Sequence, residues 1–261
     1  MLFRSAEYAI VTGAGSGIGR AVAIELSQEP LTTLAIGRRL DALKETAAQA
    51  PGEVQALGAD VATEAGRAAI LARLGAKARV RYVVHGAGIL PIERLSEITL
   101  ASWRAVMATN VEARLFLTRA LVPYLRGGGR VLFIGSMSAT RARKGSTAYC
   151  TALAASFMLQ RCLQLELAED EIKVTSAVPG PVKTVMIENS LAADADVFPD
   201  SAEYAVLRDQ GKLIEPKRVA AFYRWLLTRV DDKAYGASQW DIRDESHHHA
   251  WLGTQGLYDK R

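Results

Sequence analysis

The 261-residue chain has only two cysteines and four histidines, and it has no long hydrophobic run. Cys150 and Cys162 lie twelve residues apart in one predicted helix. That separation is about 18 Å along the helix, whereas a disulfide needs Cα atoms within about 7 Å, so we expect both thiols to be reduced. Apolar stretches such as Val131–Ile134 are far shorter than the roughly 20 residues that a membrane helix needs. We therefore expect no membrane-spanning segment.

The sequence has no cluster of charges of one sign. Lys and Arg number 32 against 28 Asp and Glu, the net charge is +4, and no block of five like charges occurs. Without a basic stripe that carries interleaved aromatic residues, we expect no nucleic-acid partner, and a small molecule is the expected ligand. Because a strand-like segment, Tyr8–Val11, begins before a signal peptide could be completed, we expect a cytoplasmic protein.

Three adjacent histidines near the end of the chain, His247, His248 and His249, could suggest a metal site. Neighbouring residues point in different directions and lack the i,i+4 spacing of helical metal ligands, so no metal site is expected. The default interpretation of this segment is a solvated tail or a subunit contact.

Short β-branched or apolar runs alternate with longer segments of helical spacing, and a hydrophobic content of 49% excludes disorder. This alternation predicts an α/β fold, a single-domain, doubly wound parallel sheet of about seven strands flanked by helices. The predicted strands are Tyr8–Thr12, Thr33–Gly37, Val54–Leu57, Val80–His85, Arg130–Gly135, Ile172–Val178 and a seventh near Ala237–Ile242. The predicted helices are Gly17–Gln28, Leu40–Gln49, Glu64–Gly75, Ala101–Leu125, Ala148–Ala168 and Lys217–Val230.

No linker or repeat divides the chain, so residues 1–243 are expected to form one domain, and residues 244–261 form a C-terminal tail. The stretch at about 185–213 interrupts the strand and helix alternation with acidic residues, Pro199 and short helical pieces. Insertions of this kind are often lids or binding loops.

A glycine-rich turn directly follows the first strand and opens the first helix. Glycine allows a phosphate to approach the backbone closely, and the start of a helix supplies free N–H groups and a positive dipole end. A tight turn without a ligand is the alternative, but the strand before the turn and the helix after it favour a dinucleotide site. Its predicted contact residues are Gly13, Gly15, Ser16, Gly17, Ile18 and Gly19.

The end of the second strand indicates which dinucleotide is bound. An NAD site usually has a carboxylate there for the ribose 2′-hydroxyl, whereas an NADP site has arginine. Here Arg38 and Arg39 follow Ile36 and Gly37, so NADP(H) is preferred over NAD(H), with Arg38 as the first candidate for the 2′-phosphate. Solvated arginines at a helix start are the alternative. Asp60 and Val61, after the third strand, stand where an adenine amino group could be bound.

Six motifs in this order resemble the short-chain dehydrogenase/reductase family, over roughly residues 7 to 243. They are Thr12-Gly13-x-x-x-Gly17-x-Gly19, Asp60-Val61, His85-Gly86-Ala87-Gly88, Asn110 in Thr109-Asn110-Val111, Ser136 thirteen residues before Tyr149, and Pro179-Gly180-Pro181-Val182-Lys183-Thr184. The resemblance implies that the last segment closes over the nicotinamide and that Asn110 supports the active site. It implies cofactor contacts for Ala87, Gly88, Pro179, Gly180, Val182 and Thr184. It also implies a homodimer or homotetramer that pairs through the fourth and fifth helices.

The chemistry of carbonyl reduction supports two of these residues independently. A hydride added to a carbonyl carbon must be matched by a proton at the oxygen, and the Tyr149 hydroxyl can supply it. Ser136, at the end of a strand, can hydrogen-bond the same oxygen as negative charge develops there. Ser138 is a rival for the serine role, and a packed structural tyrosine is the alternative for Tyr149.

Two motifs depart from the family pattern. His85 and Gly86 stand where the family's Asn-Asn-Ala-Gly turn has two asparagines. The family has a lysine four residues after the tyrosine that lowers the tyrosine pKa and holds the nicotinamide ribose, but this chain has Leu153. An unperturbed tyrosine is only about one part in a thousand ionised at pH 7, so alcohol oxidation should suffer more than carbonyl reduction. Lys183, Lys144 and His85 are candidate substitutes, although solvated lysines and a buried, satisfied histidine are the default interpretations.

These observations predict an NADP(H)-dependent oxidoreductase that reduces a small, largely apolar ketone, diketone or quinone, with Tyr149 as proton donor. Met137, Met186 and the insertion are expected to form the substrate wall. The alternative is a catalytically impaired dinucleotide-binding protein that acts as a sensor or as an inactive assembly partner.

Overall fold

The structure, a computed structural model, describes residues 6–75, 77–237, 239–253 and 256–258. Seven strands form one parallel sheet with the order β3-β2-β1-β4-β5-β6-β7. The strands are β1 (Glu7–Thr12), β2 (Thr32–Gly37), β3 (Val54–Gly58), β4 (Arg79–His85), β5 (Arg130–Ile134), β6 (Lys173–Val178) and β7 (Trp240–Asp241). The strand order reverses between β1 and β4, and ligands of doubly wound sheets bind at this reversal point.

Helices cover both faces of the sheet. They are α1 (Gly17–Leu26), α2 (Leu40–Ala48), α3 (Glu64–Arg73), α4 (Leu100–Met107), α5 (Ala113–Leu125), α6 (Thr147–Glu166), α7 (Val185–Leu191), α8 (Asp200–Asp209), α9 (Pro216–Thr228), α10 (Asp232–Ala237) and α11 (His248–Trp251). One apolar core lies between the sheet and α1 with α9, and the other lies between the sheet and α3 with α5. The central strands are buried on both faces, which explains their nearly continuous apolar sequences. The predicted fold class is confirmed.

The predicted helix Ala101–Leu125 is not one α-helix. Helices α4 and α5 are separated by one π-helical turn, Ala108–Glu112, which contains Asn110. A π turn holds one extra residue and is often found at functional sites. The prediction of a single α-helix was wrong because one π turn hardly disturbs the spacing of the apolar residues on either side, so the sequence pattern does not reveal it.

The seventh strand is shorter than predicted. Only Trp240 and Asp241 pair with β6, and Ala237 belongs to α10, while residue 238 lies outside the described residues. Helix α10 replaces the predicted strand start because its Tyr235 is fully buried and donates a hydrogen bond to the carbonyl oxygen of Val131 on β5, at 3.1 Å.

The expectation of a solvated tail is wrong for His247. This side chain is buried and stacks on Phe222 of α9, with ring centroids 5.1 Å apart. Its Nε2 lies 3.0 Å from the carbonyl oxygen of Asp241, and its Nδ1 accepts a hydrogen bond from Trp251 at 2.9 Å. One neutral tautomer satisfies both contacts, so the start of the tail is packed against α9. Residues 254, 255 and 259–261 of the predicted tail lie outside the described residues.

None of the described helices is long and apolar enough to cross a membrane. Within the described ranges, no cluster of three or more His, Cys, Asp or Glu side chains could hold a metal ion.

Gly66 provides a test of how α3 packs against the loop that carries Asp60. A Cβ added at Gly66 would lie 1.9 Å from the carbonyl oxygen of Asp60, whereas one added at Gly75 would meet nothing within 4 Å. We expect Gly66→Ala to lower the free energy of unfolding by about 1–3 kcal/mol because the backbone must move. The matched variant Gly75→Ala should change it by less than about 0.5 kcal/mol. Urea unfolding measures both, and equal stabilities would contradict this packing.

Candidate active site

A cavity of about 570 Å³ opens at the carboxyl ends of the central strands, where the strand order reverses. Its volume is within the range of small-molecule and cofactor pockets. Every residue that the sequence predicts for cofactor binding or catalysis lines this one cavity. These residues are Gly13, Gly15, Ser16, Gly17, Ile18, Gly19, Arg38, Arg39, Asp60, Val61, Ala87, Gly88, Asn110, Ser136, Tyr149, Pro179, Gly180, Val182 and Thr184. Their individual roles stay predictions.

The glycine turn approaches the end of β4 very closely. Gly13 has φ +71°, and a Cβ added there would lie 2.7 Å from the carbonyl oxygen of Gly86. Ser16, at the start of α1, makes no side-chain capping hydrogen bond. The turn contains no acidic side chain. Uncapped amides at a helix start suit a pyrophosphate group, so this part of the cavity fits a dinucleotide.

The part of the cavity that follows β2 carries two arginines. Arg38 and Arg39 are exposed and line the cavity, and neither forms an ion pair with an acidic side chain in the described ranges. Two free guanidinium groups fit a 2′-phosphate better than a 2′-hydroxyl. The nearby Asp60 carboxylate accepts a hydrogen bond from the Ala62 amide through Oδ1, at 3.0 Å.

Asn110 is held rigidly in the π turn and is fully buried. Its Oδ1 accepts from the Ile89 amide at 3.0 Å, and its Nδ2 donates to the Ile89 carbonyl oxygen at 2.9 Å. This double hydrogen bond joins the π turn between α4 and α5 to the segment after β4. Asn110 therefore fixes one wall of the cavity.

The Tyr149 and Ser136 side chains both line the cavity. Burial raises the pKa of Tyr149 above its usual value of 10, and the neighbouring Ser136 hydroxyl and the charge of Arg114 oppose that rise. The phenol is therefore protonated at neutral pH. Ser138, the rival serine, is buried and accepts a hydrogen bond from Nε of Arg143 at 3.2 Å. The geometry favours Ser136 as the partner of Tyr149.

None of the three substitutes considered for the missing lysine lines the cavity, although Leu153 does. Lys183 pairs with Glu215 at 3.1 Å, and Lys144 is exposed. His85 is buried, and its Nε2 lies 2.8 Å from the Thr118 hydroxyl oxygen. Burial lowers the pKa of His85 to about 3, so the ring is neutral, as a buried and satisfied histidine should be.

Arg114 was not predicted from the sequence. This residue on α5 is only 5% exposed, yet it lines the same cavity. Burial lowers the pKa of its guanidinium to about 10, so it still carries a positive charge at pH 7. A signal was present in the sequence, since Arg114 shares a buried helical stripe with Leu117, Leu121 and Leu125. A charged residue on such a stripe is unusual.

The far end of the cavity is formed by both apolar and charged groups. Met137 and Met186 line it as predicted, together with Phe198 from the insertion. Charged side chains also line it, including Arg141, which pairs with Glu203 of α8 at 3.0 Å. Arg143 likewise pairs with Asp200 of α8. These ion pairs join the insertion to the loop before α6 and neutralise much of the local charge.

The pKa of His85 predicts part of the acid sensitivity of the protein. The histidine titrates near 6.5 when unfolded and near 3 when folded, so the unfolded state binds an extra proton between these values. The stability contribution is complete above pH 6.5 and is lost as the pH falls towards 3. We expect the free energy of unfolding to drop by about 1–2 kcal/mol from this residue between pH 6.5 and 5.

Urea unfolding of the wild type and of His85→Gln over this pH range measures that contribution. The wild type should show the steeper loss because only its histidine takes up the proton on unfolding. Parallel pH profiles for the two proteins would contradict a neutral, buried His85.

Comparison with known proteins identifies relatives of this chain. The family model for short chain dehydrogenases matches residues 7–195. An uncharacterized oxidoreductase of Staphylococcus epidermidis is 31% identical over 188 residues, which are 70% of this chain and 80% of that protein. Galactitol 2-dehydrogenase (L-tagatose-forming) of Cereibacter sphaeroides is 33% identical over 234 residues, which are 88% of this chain and 91% of that protein.

A solved structure shares the fold over nearly the whole chain. It is a putative NAD(P) dependent gluconate 5-dehydrogenase from Beutenbergia cavernae with bound NADP at low occupancy. The two chains are 28% identical, the TM-score is 0.75, and the match covers 91% of this chain and 95% of the other. The similarity therefore extends beyond the motifs at the cavity.

Proposed function

Because this chain belongs to the short-chain dehydrogenase/reductase family, we propose that it is an NADP(H)-dependent oxidoreductase that reduces a small carbonyl compound to an alcohol. The observation that carries the proposal is that Tyr149 and Ser136 line the same cavity as the glycine turn of Gly13–Gly19. A proton donor and a dinucleotide cradle in one cavity are what carbonyl reduction requires.

The reaction needs a hydride at the carbonyl carbon, which a bound reduced nicotinamide supplies. Tyr149 donates its hydroxyl proton to the carbonyl oxygen, and Ser136 donates a hydrogen bond to the same oxygen as it becomes negative. The raised pKa of Tyr149 keeps the phenol protonated before the reaction. Alcohol oxidation would need the phenolate instead, so the site favours reduction near neutral pH.

The cofactor preference rests on the arginines after β2. Arg38 and Arg39 line the cavity and have no acidic partner among the residues that the structure describes, whereas an NAD site usually has a carboxylate at this position. Bound NADP in the gluconate 5-dehydrogenase neighbour agrees with this preference, although it concerns that protein.

We propose a small, largely apolar ketone, diketone or quinone as the substrate. Met137, Met186 and Phe198 supply apolar surface in the cavity that Tyr149 also lines, and Arg141 and Arg143 of this cavity are paired with acidic side chains of α8. The named relatives are oxidoreductases and dehydrogenases, so the alternative of a catalytically impaired binding protein is not favoured.

We also propose that the chain forms a homodimer or homotetramer, as the family resemblance implies. Helix α6 exposes two large apolar side chains, Met158 and Leu165, which are 53% and 79% exposed. Burial of such side chains by a second copy would be favourable.

Arg38→Ala tests the cofactor preference. Loss of a charge-assisted contact to the 2′-phosphate should weaken NADPH binding by about tenfold or more, since such a bond is worth about 1.5–3 kcal/mol. NADH lacks the phosphate, so its affinity should change less than about twofold. Fluorescence titration of both dinucleotides measures the difference, and an equal loss for the two would contradict the assignment.

Tyr149→Phe tests the proton donor. We expect the rate of carbonyl reduction to fall by about 10²–10⁴-fold because the acid is removed, while NADPH binding persists. Tyr204→Phe is the matched control, since it removes another phenol from the same cavity. Steady-state assays with ketones, diketones and quinones measure the effect. Wild-type activity in Tyr149→Phe would overturn the proposal.

A further inference from the structure

The buried positive charge of Arg114 has no acidic partner in the described ranges. Its Nη1 donates to the Ser156 hydroxyl at 2.8 Å and to the Ile134 carbonyl oxygen at 3.3 Å, while its buried Nε has no hydrogen-bond partner. Burying an uncompensated charge is costly, so a protein that keeps one usually uses it.

Three residues of α6 place Arg114 next to the candidate acid. Tyr149, Leu153 and Ser156 follow one another at i, i+4 and i+7, so they share one face of the helix. The guanidinium of Arg114 is hydrogen-bonded to Ser156 at one end of this face, and Tyr149 lies at the other end. Leu153, between them, lines the same cavity as Arg114 and Tyr149.

The contact with Ile134 joins Arg114 to the other side of the site. Ile134 ends β5, and Ser136, two residues later, lines the cavity together with Tyr149 and lowers its pKa. Arg114 is thus attached both to the helix that carries the acid and to the strand that leads to its serine partner. The guanidinium also lies over the Phe133 ring in a cation–π contact, with 5.5 Å between Cζ and the ring centroid, which further fixes the position of Arg114.

We propose that Arg114 is a positioning residue that supplies, from α5, the positive charge that the family places on α6 at the position of Leu153. This inference rests on the proposed function. When Tyr149 gives its proton to the carbonyl oxygen, the electron pair of the broken O–H bond stays on the phenolate oxygen. Arg114 stabilises that negative charge until the phenolate takes a proton from solvent.

The other titratable groups around Arg114 and Tyr149 do not provide this charge. Tyr204 of α8 and Tyr223 of α9 are neutral at pH 7 because burial raises the pKa of each phenol. His85 of β4 is neutral because burial lowers its pKa to about 3. Cys150 adjoins Tyr149 on α6 and cannot carry a positive charge. Arg141 and Arg143 also line the cavity, but they are paired with Glu203 and Asp200 of α8. The charge of Arg114 lowers the pKa of Tyr149.

Titration of Tyr149 itself is the direct test, and it needs neither cofactor nor substrate. A 3-fluorotyrosine placed at position 149 lowers the phenol pKa into an accessible range, and ¹⁹F NMR follows its ionisation. Arg114→Gln keeps polar atoms next to Ser156 but removes the charge. Arg114→Gln should raise the phenol pKa by about one unit or more. At a given pH below the pKa, the phenolate fraction should then be about tenfold smaller.

Two charge-bearing variants are the matched controls. Arg114→Lys should keep the phenol pKa within about half a unit of the wild type, because the positive charge remains. Arg114→Gln combined with Leu153→Lys should bring the pKa back to the wild-type value or below it, because the cation is restored from α6. An unchanged phenol pKa in folded Arg114→Gln would overturn the proposal.

A second measurement leaves Arg114 in place, in case Arg114→Gln does not fold. The ¹³Cζ signal of Arg114, assigned by its absence in Arg114→Lys, should shift with the same midpoint as the fluorine signal, because coupling between two groups is reciprocal. A ¹³Cζ signal that does not respond to ionisation of the phenol would overturn the proposal.

Kinetics separate this inference from the proposed function. In active protein, Arg114→Gln should lower kcat for carbonyl reduction by about tenfold or more and change KM for NADPH less than threefold. If the titrations of Tyr149 and Arg114 are coupled but the protein reduces no carbonyl compound, only the proposed function is overturned. If the protein reduces carbonyl compounds but Arg114 does not affect the titration of Tyr149, only the role of Arg114 is overturned.

Discussion

The close contact between the turn after β1 and the end of β4 determines the geometry of the cavity. The Thr12 hydroxyl accepts hydrogen bonds from the Gly86 and Ala87 amides, at 3.0 and 3.1 Å. A side chain at Gly13 or at Gly86 would collide with the opposite backbone. The chain leaves β1 and β4 towards opposite faces of the sheet, so a cleft opens between the two strand ends and this contact forms its floor. The glycine turn starts on one side of the contact, and the segment that Asn110 holds starts on the other.

The parts of the site that depend on local chemistry were predictable from the sequence. A glycine turn between a strand and a helix specifies a phosphate cradle, and Arg38 and Arg39 occupy a position that follows directly from the second strand. Parallel strands bring their carboxyl ends to one edge, so the fold itself places Ser136 near that cradle. Strand order and motif spacing were therefore enough to predict that the glycine turn, the two arginines and Ser136 lie close together.

The parts that depend on distant contacts were not predictable in the same way. The π turn at Asn110 follows from a double hydrogen bond to Ile89, twenty-one residues earlier in the chain. The burial of His247 depends on aromatic rings of α9. Arg114 was missed for the same reason, because its partner Ser156 lies forty-two residues further along the chain. Apolar spacing detects a buried face, but it does not reveal which distant group accepts a buried donor.

The electrostatics of Tyr149 combine opposing effects, and their balance bears on the direction of the reaction. Burial destabilises the phenolate, whereas the neighbouring Ser136 hydroxyl and the Arg114 charge stabilise it. The net result is a raised pKa, so the proton stays on the phenol at neutral pH. The phenol therefore carries the proton that carbonyl reduction needs, whereas alcohol oxidation would depend on the small phenolate fraction.

A cation on α5 need not do everything that a lysine on α6 does. The Arg114 guanidinium is held by Ser156 and Ile134, so it can act on the phenolate through its field without leaving those contacts. Leu153, for its part, offers no donor to a nicotinamide ribose. The charge function and the ribose-binding function of the family lysine are thus separable, and this chain is arranged to keep the first on a different helix. Positioning of the dinucleotide must then depend more on the glycine turn and on the arginines after β2.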